Sequence, residues 1–385
     1  MRFIAKTLYG LEDILAGEIG ELGASGVTAV NRAVLFEGGI ELMYTVNYMS
    51  RFSVSVLLQI ADFTINSPDD LYTSGSKIRW NKYFEPDKSF MIKPVVKSHF
   101  FNHTGFAALK LKDSIADFFR KEYGTRPAVD TQNPDIIVNL HISNRHVTVS
   151  IDSSGDPLFK RGYRRGTLEA PLNEVLAAGM IRLSGWDGKS DFIDPMCGSG
   201  TLPVEAAMIA SNIPPGKSRS SFGFQNWKGY DEKLFSRIMS DFDSRIKKPG
   251  SAIFGYDISE KAVRQTIDNA KNAGVEDYVN ISLGDFRNLK PVGQKGYLLL
   301  NPPYGERLGK GETDTLYSMI GSVLKHSFPG YIACIISSNK ESVKNVGLKP
   351  VRKYTLYNGP LECKYLVFEL YEGTRKGARS KQITD

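Results

Sequence analysis

Four short apolar segments in the second half of the chain each end in a polar residue, and this pattern constrains the fold more than any other. Asp194, Asp257, Asp285 and Asn301 follow the segments in that order, and helical patterns follow the first two. One Asp after a strand is usually a helix cap, but capping does not explain four polar ends in series. Because ligands of open α/β sheets bind at the carboxyl ends of the strands, we predict that the four residues share one site.

The first segment runs into a glycine loop, Asp194-Pro195-Met196-Cys197-Gly198-Ser199-Gly200-Thr201, and a helical pattern follows the loop. Gly198 and Gly200 allow the backbone to turn sharply and to approach a ligand closely. The loop lacks the three-glycine fingerprint of dinucleotide sites and the lysine of nucleoside triphosphate sites. A nicotinamide or ATP site is therefore disfavoured.

The fourth segment runs into Asn301-Pro302-Pro303-Tyr304, which places an amide, a rigid carbonyl and an aromatic ring together. A nucleobase amine is a poor nucleophile because its lone pair is delocalised into the ring. If the Asn301 oxygen and the Pro302 carbonyl accept hydrogen bonds from that amine, positioning activates it toward a methyl group. Tyr304 supplies a stacking face for the base. Alone, the tetrapeptide equally fits a turn after a strand; beside the acidic strand ends it predicts an amine-methylating site.

This order of strand ends resembles that of the class I, S-adenosylmethionine-dependent methyltransferases, and the tetrapeptide resembles their amino-methylating subset. The resemblance implies a Rossmann-like α/β domain with a seven-stranded sheet, S-adenosylmethionine as cofactor, and no metal. It also implies that the glycine loop surrounds the methionine part of the cofactor, Asp257 the ribose, and Asp285 with the Phe286 backbone the adenine. The predicted cofactor-binding residues are Asp194, Pro195, Met196, Cys197, Gly198, Ser199, Gly200, Thr201, Asp257, Ile258, Asp285, Phe286 and Asn301, and the predicted catalytic residues are Asn301, Pro302, Pro303 and Tyr304.

The first half of the chain alternates strand and helix patterns, which predicts two small α+β units over residues 1–63 and 67–152. The second unit and the junction Asp152 to Arg164 resemble a THUMP RNA-binding domain joined to a methyltransferase. Together with Ala170-Pro171-Leu172-Asn173-Glu174, they make the whole chain resemble the RlmL and YpsC type of THUMP-domain RNA guanine-N2 methyltransferases. We therefore expect a ferredoxin-like segment at 1–64, a THUMP-like domain at 65–160, a methyltransferase domain at 161–372, and a basic, disordered tail at 373–385.

The resemblance implies methyl transfer to the N2 of a guanine in large-subunit, 23S ribosomal RNA. Since the chain ends after one methyltransferase domain, the second catalytic half of fused relatives is not expected. Three alternatives stay open: a transfer-RNA guanine-N2 methyltransferase, a DNA adenine-N6 methyltransferase, and a non-catalytic RNA-binding or ribosome-assembly factor on the same fold. The resemblance of the N-terminal half to an RNA-binding domain argues against a DNA substrate. A non-catalytic protein would not need to keep all six polar and glycine residues of the predicted pocket, which are Asp194, Gly198, Gly200, Asp257, Asp285 and Asn301.

Composition agrees with an RNA partner. The 385 residues leave room for two or three domains, 41% of them are hydrophobic, and the formal net charge is +7. Three cysteines are too few for a disulfide framework, and the five histidines form no metal-ligand pattern because His99 and His103, four residues apart, have no acidic partner. We therefore expect reduced thiols and no metal. No signal peptide or membrane-spanning pattern is visible, so we expect a cytoplasmic protein without a membrane partner. The sequence does not indicate protein partners.

Cations interleaved with aromatic residues mark two candidate RNA contacts, the junction around residues 159–165 and the Gly-Ser-Pro-rich insertion at 211–250. The predicted RNA-binding residues are Arg161, Arg164, Arg165, Lys217, Arg219 and Trp227. The alternative for the junction is a solvated linker. The alternative for the insertion is burial of its aromatic residues.

Overall fold

The computed structural model describes residues 1–164, 171–303 and 310–372. Tyr304, Arg165 and the tail 373–385 lie outside the described residues. The chain divides into two compact units. The first contains Met1–Thr7, Leu15–Leu158 and Arg219–Asp241, and the second contains Leu8–Ile14, Phe159–Ser218 and the residues from Phe242 onward.

In chain order, the helices and strands of the described residues are β1 (Arg2–Lys6), α1 (Glu12–Glu21), β2 (Ser25–Val30), β3 (Ala33–Glu37), α2 (Ile40–Met49), β4 (Ser55–Thr64), α3 (Pro68–Gly75), β5 (Phe90–Lys97), α4 (Thr104–Tyr123), β6 (Ile136–Ser143), β7 (His146–Asp152), α5 (Glu174–Ser184), β8 (Asp191–Asp194), α6 (Thr201–Ala210), α7 (Glu232–Asp243), β9 (Ile253–Asp257), α8 (Glu260–Asn272), β10 (Asn280–Leu283), β11 (Gly296–Leu300), α9 (Lys310–Ser327), β12 (Ile332–Ser337), β13 (Arg352–Asn358) and β14 (Leu361–Glu369). Among them, no helix combines the length and the hydropathy that crossing a membrane requires.

The first unit is built on a seven-stranded sheet in the order β2-β3-β1-β4-β7-β6-β5. Strand β4 pairs antiparallel with β1 on one side and with β7 on the other, so the two predicted N-terminal domains share one sheet. Side chains alternate between the two faces of each strand. Phe3 and Ala5 of β1 and Val34 and Phe36 of β3 are buried, which places the core on one face.

The segment Arg219–Asp241 belongs to the first unit, although its neighbours in sequence belong to the second. The reason is an aromatic cluster. The Phe224 ring lies 4.5 Å from Tyr44, 5.3 Å from Phe222 and 5.0 Å from Phe235, measured between ring centroids. Large aromatic side chains dominate the energetics of a core, so this segment completes the hydrophobic interior of the first unit.

The second unit is built on a seven-stranded sheet in the order β10-β9-β8-β11-β12-β14-β13, which confirms the predicted sheet. Strands β10, β9, β8, β11 and β12 are parallel to one another, and β14 pairs antiparallel with both β12 and β13. The chain leaves β8 toward β9 on one side and returns to β11 on the other. The carboxyl ends of β8 and β11 therefore flank the point where the strand order reverses, where open α/β sheets bind ligands.

Candidate active site

The structure brings the four predicted strand ends to the same edge of the second sheet. Asp194 ends β8, Asp257 ends β9, Asn301 follows β11 directly, and Asp285 lies two residues beyond β10. Because β10, β9, β8 and β11 are parallel neighbours, their carboxyl ends meet at this edge. The arrangement predicted from the sequence is therefore present.

The glycine loop after β8 is tight. The Gly200 amide donates to the Cys197 carbonyl at 2.8 Å, and the Cys197 amide donates to the Tyr256 carbonyl at 2.9 Å. Gly200 has φ +80°, and a Cβ atom there would lie 2.4 Å from Thr266. Gly198 has φ +56° with no atom near its missing side chain, so this part of the loop offers backbone and open space to a ligand.

Helix α8 fixes the carbonyl groups of this loop. The Thr266 hydroxyl donates to the Gly198 carbonyl and the Asn269 amide to the Ser199 carbonyl, each at 2.9 Å. Both side chains are fully buried. The prediction from sequence missed Thr266 and Asn269. The available signal was their polarity, three residues apart, on the buried face of an amphipathic helix.

The Asp257 carboxylate holds both the loop and the start of the next helix. One oxygen accepts from the Gly198 amide at 2.9 Å, and the other accepts from the Ser259 amide at 2.9 Å. This fixes the carboxylate beside the glycine loop. Its role toward a ribose stays a prediction that this position favours.

Asp194 is a buried carboxyl group, with 2% of its surface exposed. One of its oxygens accepts from the Met196 amide at 3.1 Å. Burial, and to a lesser extent the neighbouring Asp257, raise the pKa of Asp194 to about 8. The raised pKa favours the protonated form of Asp194, and a cationic ligand nearby would favour release of that proton.

Asn301 carries an open acceptor. Its Oδ1 atom is buried, and no other described residue donates to it. A buried acceptor without a donor costs about 1–3 kcal/mol. The position therefore fits a ligand that brings an N–H group. Pro302 is buried and Pro303 is exposed.

The third strand end is already paired. The Asp285 carboxylate accepts from the Arg287 amide at 2.9 Å and also binds the Arg287 guanidinium, which holds the pKa of Asp285 below its usual range. Phe286 is buried, with 2% of its surface exposed, so the contact of its backbone with an adenine stays a prediction. Ile258, after Asp257, is 75% exposed and offers an apolar surface at the same edge.

Cys197 is suited to line the loop, not to act as a nucleophile. Its thiol is buried and lies 3.7 Å from the Thr266 hydroxyl. Burial, followed by the Asp194 and Asp257 charges, raises the pKa of the Cys197 thiol, so the reactive thiolate is disfavoured. Cys334 and Cys363 are likewise buried and not disulfide-bonded.

The structure corrects the predicted RNA contacts of the junction. Arg161 is 2% exposed, and its Nε atom lies 3.4 Å from Glu205 Oε1, so the two residues form a buried ion pair. Arg164 binds Glu174 and the glycine loop. The position of Arg161 in a junction between domains suggested an exposed side chain. Its acidic partner, Glu205, is too distant in the sequence for a local pattern to reveal the ion pair.

The insertion is corrected in the same way. Arg219 donates to the carbonyls of Asp156 and Pro157 at 2.9 and 3.0 Å. Trp227 is 8% exposed. Arg219 and Trp227 thus hold the protein together, and for them the structure supports the alternative of an insertion packed into the interior. Lys217 is exposed and forms a surface ion pair with Asp243, so its RNA contact stays a prediction.

A sheet in this strand order, with a glycine loop after its first strand and acidic residues after the next two, defines the class I S-adenosylmethionine-dependent methyltransferases. The chain belongs to the family described as RMKL-like, methyltransferase domain, whose model matches residues 161–366. Models described as THUMP domain and RlmL ferredoxin-like domain match residues 66–152 and 2–57. The predicted class and both N-terminal folds are thereby confirmed.

Curated relatives agree with this assignment. Ribosomal RNA large subunit methyltransferase K/L of Syntrophotalea carbinolica is 35% identical over 99% of this chain and 55% of its own length. The chain thus spans about half the length of this relative. A candidate RNA methyltransferase of Synechocystis sp. is 36% identical over 96% of this chain and 97% of its own length. A solved candidate methyltransferase complexed with SAH matches with a TM-score of 0.87 and 28% identity over 97% of this chain.

Across residues 1–164, 171–303 and 310–372, no three His, Cys, Asp or Glu side chains are grouped so that they could hold a metal ion.

Proposed function

We propose that the protein transfers a methyl group from S-adenosylmethionine to the exocyclic N2 of a guanine in large-subunit ribosomal RNA. The observation that carries the proposal is the buried Asn301 Oδ1 atom, which lacks a donor among the described residues and follows the strand beside the glycine loop. The amine of a guanine supplies the missing N–H group. The Syntrophotalea relative is named a ribosomal RNA large subunit methyltransferase, which supports ribosomal RNA as the substrate.

The residues that would hold the cofactor fit it in chemical type. The loop from Asp194 to Thr201 offers glycine backbone and space at Gly198, and Asp257 offers a carboxylate beside it. S-adenosylmethionine, when bound, supplies an activated methyl group on a sulfonium. The protein then has no need of a separate metal.

The chain's own part in the reaction is to position the amine. Asn301 Oδ1 and the Pro302 carbonyl accept hydrogen bonds from the two N–H groups, which turns the nitrogen lone pair toward the methyl donor. The proline rings keep this backbone stiff. The proton that the amine loses passes to water, since an amide oxygen cannot retain it. Tyr304, outside the described residues, keeps its proposed stacking role.

The first unit is the proposed RNA-binding part. Strand β5 lies at the edge of its sheet. Its alternate residues Lys93, Val95 and Lys97 lie on the same face and are exposed. Proteins meet structured RNA mainly through its shape and phosphates, and lysines suit the phosphates. Because Arg161 and Arg164 are paired within the protein, Lys93 and Lys97 are the better candidates for contacts with RNA phosphates.

Labelled methyl transfer tests the proposal. The protein is incubated with methyl-labelled S-adenosylmethionine and total RNA from a strain lacking its gene, and the separated ribosomal and transfer RNAs are digested to nucleosides. We expect the label in N2-methylguanosine. Label in transfer RNA alone would show that the substrate is transfer RNA, and label in an adenine would show that the target base is not guanine. No cofactor binding in calorimetry at millimolar ligand would contradict the enzyme assignment.

A further inference from the structure

Arg164 joins three segments of the second unit through one guanidinium. Its Nε atom donates to Glu174 Oε1 at 2.9 Å, and its Nη1 atom donates to the Ser199 hydroxyl at 3.2 Å. Its Nη2 atom donates to the Thr201 hydroxyl at 3.0 Å and to the Leu172 carbonyl at 3.2 Å. Ser199 and Thr201 flank Gly200, so two of these bonds end in the glycine loop.

This arrangement is buried and geometrically specific. The Arg164 and Glu174 side chains are 16% and 7% exposed, and Ser199 and Thr201 are nearly inaccessible. Hydrogen bonds to a charged group in such surroundings are stronger than neutral ones. A guanidinium donates in a fixed planar fork, whereas a lysine ammonium is a single point charge that cannot reach all these acceptors.

The backbone that carries Arg164 is itself anchored. Tyr163 donates from its hydroxyl to Glu205 at 3.3 Å, and its carbonyl accepts from Asn272 at 3.1 Å. Arg161 pairs with the same Glu205. The guanidinium therefore projects from a fixed base on α6 and α8.

The glycine loop is consequently held on two sides. Thr266 and Asn269 bind its carbonyls, and Arg164 binds its hydroxyls. With carbonyls and hydroxyls both engaged within the protein, what remains for a ligand is the open space beside the Gly198 Cα atom.

We propose that Arg164 is a positioning residue that holds the glycine loop in its cofactor-binding geometry through Ser199 and Thr201. The inference rests on the proposed function, because the ligand of the loop is taken to be S-adenosylmethionine. Arg164 acts through the loop and is not a catalytic residue.

Removing Arg164 outright would strand the buried Glu174 carboxylate and could unfold the protein. The test therefore uses the double variant Ser199→Ala with Thr201→Val, which removes the two loop contacts and keeps the ion pair. The matched control is Ser318→Ala with Ser322→Ala, two hydroxyls exposed on α9. Thermal unfolding verifies that both variants are folded.

Calorimetry with S-adenosylmethionine gives the readout. We expect the loop variant to raise the Kd for the cofactor and its KM at least about tenfold and to lower kcat at saturating cofactor by a smaller factor, while the Kd for RNA stays within about twofold. A tenfold change corresponds to about 1.4 kcal/mol. The control should match the wild type. A loop variant whose cofactor Kd equals that of a binding-competent wild type would overturn the positioning role alone. Failure of the wild type to bind the cofactor would overturn the proposed function, and the inference with it.

Arg164→Lys separates geometry from charge. The lysine keeps a cation beside Glu174, so we expect the melting temperature to be largely retained while the cofactor Kd rises as in the loop variant. A lysine variant with wild-type cofactor affinity would show that the planar fork is not required.

Discussion

Asn301 combines burial with an acceptor that no other described residue fills. Asn301→Ala removes this acceptor from the amine without touching the glycine loop. We expect turnover to fall by about 10²–10³, the range seen when one positioned hydrogen-bonding group is lost, and cofactor affinity to fall far less. Single-turnover kinetics and calorimetry on the same sample measure the two effects.

The matched control for this variant is Asn345→Ala, an exposed asparagine of the same unit. It should leave both turnover and cofactor affinity unchanged. An Asn301→Ala enzyme with wild-type turnover would remove the amine-holding role.

Asp194 gives the site a pH dependence. Because its pKa is raised to about 8 from its ordinary value of 3.8, its contribution to folding is greatest below pH 4 and declines as pH rises toward 8. A cationic cofactor needs the ionised form, so affinity for S-adenosylmethionine should increase between pH 6 and pH 8. Asp194→Asn should lose this slope. Calorimetry across pH compares the two proteins, and identical slopes would disprove the role of Asp194.

The site residues differ in how far the sequence could predict them. Asp194, Asp257 and Asn301 lie at strand ends, and parallel strands bring such ends together whatever the detailed packing is. The internal pairing of Arg161 with Glu205 depends on tertiary packing, and their separation of 44 residues hides it. The charge of Arg161 therefore suggested an exposed side chain, whereas the fold buries this residue.

Most elements were visible in hydrophobic periodicity, and the exceptions have physical reasons. Strand β2 is almost entirely exposed, so it shows no alternation of apolar and polar residues. Helix α5 is almost entirely buried, so it shows no polar face. Helix α7 is strongly amphipathic, but it lies within the insertion interpreted as a loop.

The start of α5 provides a prediction at the scale of an element. The Asn173 side chain accepts from the amides of Val175 and Leu176 at 2.9 and 3.2 Å. Asn173→Ala should lower the free energy of unfolding by about 1 kcal/mol, whereas Asn173→Asp keeps the cap and should be nearly neutral. Denaturant titration measures both, and equal losses would show that the cap contributes nothing.

At the scale of the whole molecule, one segment belongs to a different structural unit from the residues that precede and follow it in the sequence. The segment Arg219–Asp241 falls within the predicted methyltransferase domain, yet it groups with the first unit. Tyr44 and Phe224 lie 4.5 Å apart between ring centroids but are far apart in sequence. A boundary read from local composition cannot detect such a return of the chain.

The return has a consequence for stability. Phe224→Ala should lower the free energy of unfolding of the first unit by about 3–5 kcal/mol, because it opens a cavity among aromatic rings. Phe106→Ala, at a residue that is 46% exposed, is the control and should cost about 1 kcal/mol or less. Hydrogen exchange resolves the two units. Equal effects of the two substitutions would contradict the assignment of this segment to the core.

If this protein methylates a guanine amine of large-subunit ribosomal RNA, that modification depends on its gene in the cell. Nucleoside mass spectrometry of the RNA, from cells with the gene deleted and then complemented, tests this most directly. We expect N2-methylguanosine to fall on deletion, to return with the wild-type protein, and to stay at the lowered level with the Asn301→Ala variant. An unchanged N2-methylguanosine content after deletion would contradict the proposed function.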